Sequence, residues 1–286
     1  MFKPLSAAAV SLLVISCGSG SDGGESSGAV TSQAAEFGLV LASATPARDD
    51  LDIPETNVAA IFGRYQEVVD FSTVTAMFRM PIDTCVISVE NEGSNRVDNI
   101  EDGPAFARIS AGPALTFDSA NGLQYQATGF NDSPRGVIYV VDPEPLFPLP
   151  QGLVVDIPGQ AFPAFTQALP DVAPLVGFMP QSDSSTTLVT PDTTFTWQPG
   201  NDPNARILIR TDITETGTSA ANGNPTPIDF YCDVADDGLF EFPEEFKTAL
   251  GADYSNLGEL DAQRRSISVA QRGISALLVV RDRFAD

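Results

Sequence analysis

The sequence predicts a mainly β protein: two β-sandwich-like domains, the C-terminal one immunoglobulin-like. Three observations carry that expectation. Apolar residues recur at alternate positions in short runs, the period of a half-buried strand. Gly, Pro, Asn and Asp close almost every run, with 23 glycines and 22 prolines spread along 286 residues. The last hundred residues alone hold about seven such runs, the density expected of a sandwich.

Residues 36–180 read as the first domain. Asn57 to Val69 is a candidate short helix, while Ala76 to Met80 and Cys85 to Val89 read as strands around a Pro81-Ile82-Asp83-Thr84 turn. Further strands are expected at Phe106 to Ile109, Leu115 to Phe117, Leu123 to Ala127, Val137 to Val141 and Leu153 to Ile157. Asp142 to Gln181 is crowded with prolines, which cannot donate to a β-ladder, so loops and edges are expected there. The domain boundary is placed at its end.

Residues 181–286 read as the second domain. Its strands are Thr186 to Val189, Thr194 to Gln198, Arg206 to Thr211, Ile228 to Val234, Leu239 to Phe242, Ser266 to Ala270 and Ala276 to Val280. Phe195 and Trp197 flank Thr196, an alternation that turns the single tryptophan into the core. Pro243 to Leu250 is the best helix, with Pro in its first turn and Gly251 at its end. The spacing of cysteines and tryptophan seen in antibody domains is absent.

The amino terminus has a different logic. Met1, Phe2 and Lys3 precede an apolar stretch from Leu5 to Ile15, broken only by Ser6 and Ser11. About eleven residues cannot span a bilayer core, which needs roughly twenty, but they suit the apolar region of a signal peptide. The stretch closes on Val14-Ile15-Ser16-Cys17. These residues resemble the lipobox of bacterial lipoproteins: aliphatic residues, a small residue, then the cysteine that is lipidated and becomes residue one. The resemblance implies a signal peptide over 1–16, lipidation of Cys17 and attachment to the cell envelope through the lipid. Gly18, rather than Asp, after that cysteine implies the outer membrane. Gly18 to Ser32 is nearly all Gly, Ser and acid, so 17–35 is expected to act as a tether.

Composition narrows the chemistry. The formal charge is −23, and −24 once Lys3 leaves with residues 1–16. A body this acidic repels phosphate backbones, so no nucleic-acid partner is expected. There is no histidine, which removes the commonest general base and most zinc sites. With Cys17 lipidated, Cys85 and Cys232 remain, either as a disulfide or as two separately buried thiols.

One constellation stands out. Residues 233–244 read DVADDGLFEFPE, which aligns Asp233, Asp237, Gly238 and Glu244 with a calcium loop, although Ala235 takes a ligand position. The competing reading is a β-hairpin, with Phe230, Cys232 and Val234 before the Asp-Gly turn and Phe240 and Phe242 after it. Calcium is the one cofactor this allows; otherwise none is expected. The turn-rich acids Asp98, Glu101 and Asp102, and the stretch Ser133-Pro134-Arg135-Gly136, read as solvated loops.

The leading expectation for function is a non-enzymatic binding or scaffolding module at the envelope, with a glycan or an envelope protein as partner. Exposed Tyr125, Phe130 and Tyr139 would favour the glycan. One alternative is a polysaccharide hydrolase, needing two carboxylates about 5–10 Å apart across a cleft. Another is a structural part of an envelope assembly, marked by a large apolar patch.

Overall fold

The computed structural model describes residues 33–47, 54–70, 72, 75, 79–89, 106–132, 136–142, 147–181, 187–212, 228–251 and 256–285. The expected signal peptide, Cys17, most of the tether, Asp98 to Gly103, Ser133 to Arg135, and Ala76 to Phe78 lie outside the described residues. The chain is mainly β. Its elements are β1 (Gln33–Thr45), β2 (Glu55–Asp70), β3 (Thr84–Val89), β4 (Phe106–Arg108), β5 (Ala114–Asp118), β6 (Gln124–Asp132), β7 (Gly136–Val141), β8 (Val154–Ile157) and β9 (Phe165–Ala168). There follow β10 (Thr187–Val189), β11 (Thr194–Thr196), β12 (Arg206–Asp212), β13 (Ile228–Ala235), β14 (Leu239–Glu241), α1 (Glu244–Leu250), β15 (Asn256–Arg272) and β16 (Ser275–Phe284).

One long sheet runs in the order β3-β13-β12-β15-β16-β1-β2-β7-β6-β5-β8-β9. β4 joins it beside β2 and β10 beside β15, while β11 and β14 form a separate pair. The expected helix over Asn57 to Val69 is instead β2. Val58, Ala60 and Phe62 are buried at alternate positions, and β1 and β7 pair with the strand on its two sides. Tertiary pairing here overrides the local apolar run. β1 begins at Gln33, so residues 33–35, expected in the tether, belong to the sheet. Strands pair across the expected boundary at 180: β1 pairs in parallel with β16, β3 pairs with β13, and single bridges join Leu175 to Ala285 and Met179 to Thr196. The immunoglobulin-like outline expected for 181–286 is therefore not closed within that segment.

Two cores hang from this sheet. In the first, Val40, Ala42, Phe62, Leu277 and Val279 from β1, β2 and β16 meet Leu115, Phe117, Tyr139, Val155 and Ile157 from β5, β7 and β8, so the sheet curls over itself. In the second, Ile207, Ile209, Phe230, Val234 and Ala262 face Phe195, Phe240 and Phe242, with Phe246 and Leu250 of α1 closing one side. The other face of β1 and β16 is buried too, through Phe37, Leu39, Ala276, Leu278 and Val280. That explains why β16 reads as a continuous apolar run rather than an alternating one.

Arginine ties the proline-rich segments to these layers. Arg281 on β16 donates through Nη2 to the carbonyls of Leu149 and Pro150, both at 3.0 Å, and reaches Asp171 at 3.2 Å. Arg264 on β15 donates to the carbonyls of Pro174 and Gln198 and pairs with Asp236 at 2.8 Å. Prolines leave no N–H of their own, so their carbonyls find donors in these guanidinium forks.

Two close approaches use glycine. Gly38 lies opposite Phe62 and Gly129 opposite Tyr139 in the strand registers. A Cβ there would stand 2.7 Å from the Phe62 ring and 2.8 Å from the Tyr139 ring, so each ring folds over a bare backbone. The Tyr139 hydroxyl then accepts from the Ala111 N–H at 2.8 Å and donates to the Gly112 carbonyl at 2.7 Å. Replacing Tyr139 by Phe keeps the ring but strands the Ala111 N–H in the core and leaves the Gly112 carbonyl only the long Ser110 Oγ contact at 3.4 Å. The expected cost is about 1–3 kcal/mol, read as a lower midpoint in denaturant unfolding. An unchanged midpoint would mean that the hydroxyl has no such anchoring role.

Candidate functional site

The three acids expected to bind calcium are engaged separately. Asp233 lies on β13 with a side chain only 1% exposed. Its Oδ2 accepts the Met80 N–H at 3.0 Å, and its Oδ1 is 4.0 Å from Arg206 Nε. Asp237 accepts the Leu239 N–H at 3.3 Å within its own turn. Glu244 sits in the first turn of α1, largely exposed, and pairs with Lys247 at 2.8 Å. Among the described residues no group of three His, Cys, Asp or Glu side chains gathers as a metal would require.

The hairpin expected around Asp236-Asp237-Gly238 does not form either. The turn exists, with Gly238 at φ 99°, but β14 pairs with β11 rather than with β13. Phe240 and Phe242 thereby join the layer facing β13, where Phe242 meets Phe230 edge-on at 5.0 Å and Phe195 at 5.3 Å. Asp236 fixes the change of layer. It accepts the Trp197 indole N–H at 2.9 Å, the Gly200 N–H at 3.1 Å and the guanidinium of Arg264. This is the best-connected carboxylate of the loop, and sequence spacing alone did not single it out.

The richest polar surface lies on the other face of β13, β12, β15 and β16. Arg265 binds Asp282 through two bonds of 2.7 Å with both side chains buried. Arg210 binds Asp261 at 2.9 Å, and Gln263 donates to Asp282 at 3.4 Å. The segment before β3 docks on this face. Arg79 donates to the Asn204 carbonyl at 3.2 Å, and Asp83 accepts the Ala235 N–H at 3.0 Å. Arg79 Nε, Arg206 Nε and Asp233 Oδ1 are buried without a hydrogen-bond partner. Burial outweighs the surrounding guanidinium groups and pushes the Asp233 carboxyl above its usual range. Beside this cluster lies a depression of about 440 Å³ lined by Ser72, Thr75, Arg79, Met80, Pro81, Ile267 and Val269. Its described lining has no carboxylate, so the facing acid pair of a hydrolase is not found there.

Cys85 and Cys232 are joined by a disulfide, one of the two possibilities left open by the sequence. They are directly opposed in the β3–β13 register, with Cα atoms 4.1 Å apart. Of the aromatics expected to greet a glycan, Tyr139 is wholly buried and Tyr125 packs against the first core. Only Phe130 stands exposed.

Replacing both cysteines by serine opens a loop spanning 147 positions. The expected loss is about 2–5 kcal/mol, measured by denaturant unfolding, with reductant having the same effect on the parent and none on the variant. Asp233→Asn gives a pH signature. A carboxyl whose folded pKa is raised binds its proton more readily in the folded state, so its burial penalty is present above that pKa and relieved below it. As pH falls from 7 toward the ordinary carboxylate range, the parent should gain stability relative to Asp233→Asn. A difference that stays flat, or moves the other way, would refute a raised Asp233.

Comparisons with protein-family models, curated proteins and solved structures find no match to this chain.

Proposed function

We propose that the chain is a cell-envelope lipoprotein, anchored through Cys17 to the outer membrane, whose β body is a non-enzymatic binding or scaffolding module. The observation that carries the reading is the Cys85–Cys232 bridge. Disulfides persist in oxidising compartments, the destination that Val14 to Cys17 also implies. Among the described residues no helix is long and apolar enough to cross a membrane. A protein partner is favoured over a glycan, because Tyr139 and Tyr125 are committed to the first core.

Metabolic labelling with an alkyne fatty acid tests the anchor. Label should appear on the parent protein and vanish from Cys17→Ala, which should also leave the membrane fraction. Label retained by Cys17→Ala, or absent from both, would overturn the reading. Cross-linking in intact cells then tests the module: a partner recovered equally with calcium and with chelator is expected, because Asp233, Asp237 and Glu244 are engaged separately. Capture only with calcium would return attention to that loop.

A further inference from the structure

The proposed anchor enters the fold at one end of the central strands, and that end has a distinct surface. β1 starts beside the end of β2, with Gln33 opposite Asp70. It also starts beside the β15–β16 turn, where the Ala35 and Glu36 N–H groups donate to the Ile274 carbonyl at 2.8 and 3.3 Å. Gln33, Asp70 and the Gly273-Ile274 turn therefore share one end of the sheet. The opposite end holds Thr45 beside Glu55 and Ala44 beside Arg283. The alternating directions of β2, β7, β6 and β5 bring the β5–β6 turn, Ser119 to Leu123, to that far end as well. Glu36 to Ala44 alone spans about 27 Å at the usual rise per residue.

Two aliphatic side chains project at the anchor end: Val68 is 53% exposed and Ile274 50%. Sixteen peptide units separate Cys17 from Gln33. The chain from Cys17 therefore meets the fold at this end before any other part of the sheet. We propose that this end, through Val68 and the Ile274 turn, rests against the phospholipid surface. The far end and the polar face of β12 and β13 are then left free for partners. This orientation rests on the lipoprotein reading. Glu67 and Asp70 lie exposed beside Val68 while Arg272 is exposed beside Ile274, so charge gives no net attraction to anionic headgroups, and apolar contact together with the covalent lipid holds the end down. The contact belongs to a neutral, zwitterionic surface.

The test uses the full lipidated protein in phosphatidylcholine vesicles that carry a headgroup spin label. Single cysteines replace Ile274, Val68 or the similarly exposed Leu123 at the far end, each labelled with an environment-sensitive fluorophore. Flotation of each labelled protein with the vesicles, lost in Cys17→Ala, is established first. The expected result is quenching at positions 274 and 68 at least threefold stronger than at 123. Equal quenching at all three, or stronger quenching at 123, overturns the orientation and leaves the anchor standing. A parent protein that fails to float defeats the anchor, and the orientation with it.

Discussion

The parallel pairing of β1 with β16 is the constraint on which the rest of this fold depends. Parallel neighbours cannot be joined by a tight turn, and here nearly the whole chain separates the two strands. The pair sits mid-sheet, with β2 and β15 completing its ladders. Val40 and Val279 face the first core, while Leu39 and Leu278 face the opposite layer. The layer that encloses the second core is reached through β15, itself paired to β16. The first core mixes strands from both ends of the sequence, whereas the second is built from residues 175–285, with Cys85 and Ile87 of β3 packed against it.

Buried charge does the work at the seams. The chain has only two lysines, Lys3 and Lys247, and its other basic side chains are arginines. The structure gives a reason in Arg264, Arg265 and Arg281, all nearly excluded from solvent. Each satisfies several acceptors at once, which a planar fork does and a single ammonium does not. Such pairs cost desolvation, and losing one partner would leave a charge stranded. Their benefit is positional: Arg264 and Arg281 hold proline-rich chain that has few donors of its own against the sheet, and Arg265 locks β15 to β16 through Asp282.

Strands were the most legible feature of the sequence. The seven expected after residue 181 all exist, as do the turn at Pro81 to Asp83 and the helix opening at Pro243, because these depend on local alternation and turn chemistry. What escaped was pairing. β1 overlaps the expected tether at residues 33–35, and the sequence of β2 reads as a helix because Val58 to Phe62 is apolar on more than one side. The Asp-Gly turn was legible as a turn, but which layer Phe240 enters depends on Phe195 and Trp197, over forty residues earlier. Of the candidate site residues, the cysteine pair was legible as a possibility and the calcium trio was not supported. The Arg79–Arg206–Asp233 cluster gave no signal, since its members meet only when β3 docks beside β13.

An open sheet has two rims, and each rim is a template on which another chain could build. Among the described residues the main path of the sheet ends at β3 and β9. β9 has four residues and lies between Pro163 and Pro170, a short stretch for a newcomer to pair with. β3 is bonded covalently to its neighbour, so it cannot peel away and bare β13. The bridge keeps β13 covered and the shortness of β9 limits pairing at the other rim, and both oppose edge-to-edge polymerisation between copies of the chain. The bridge thus guards neighbouring copies from one another as well as holding a single copy together.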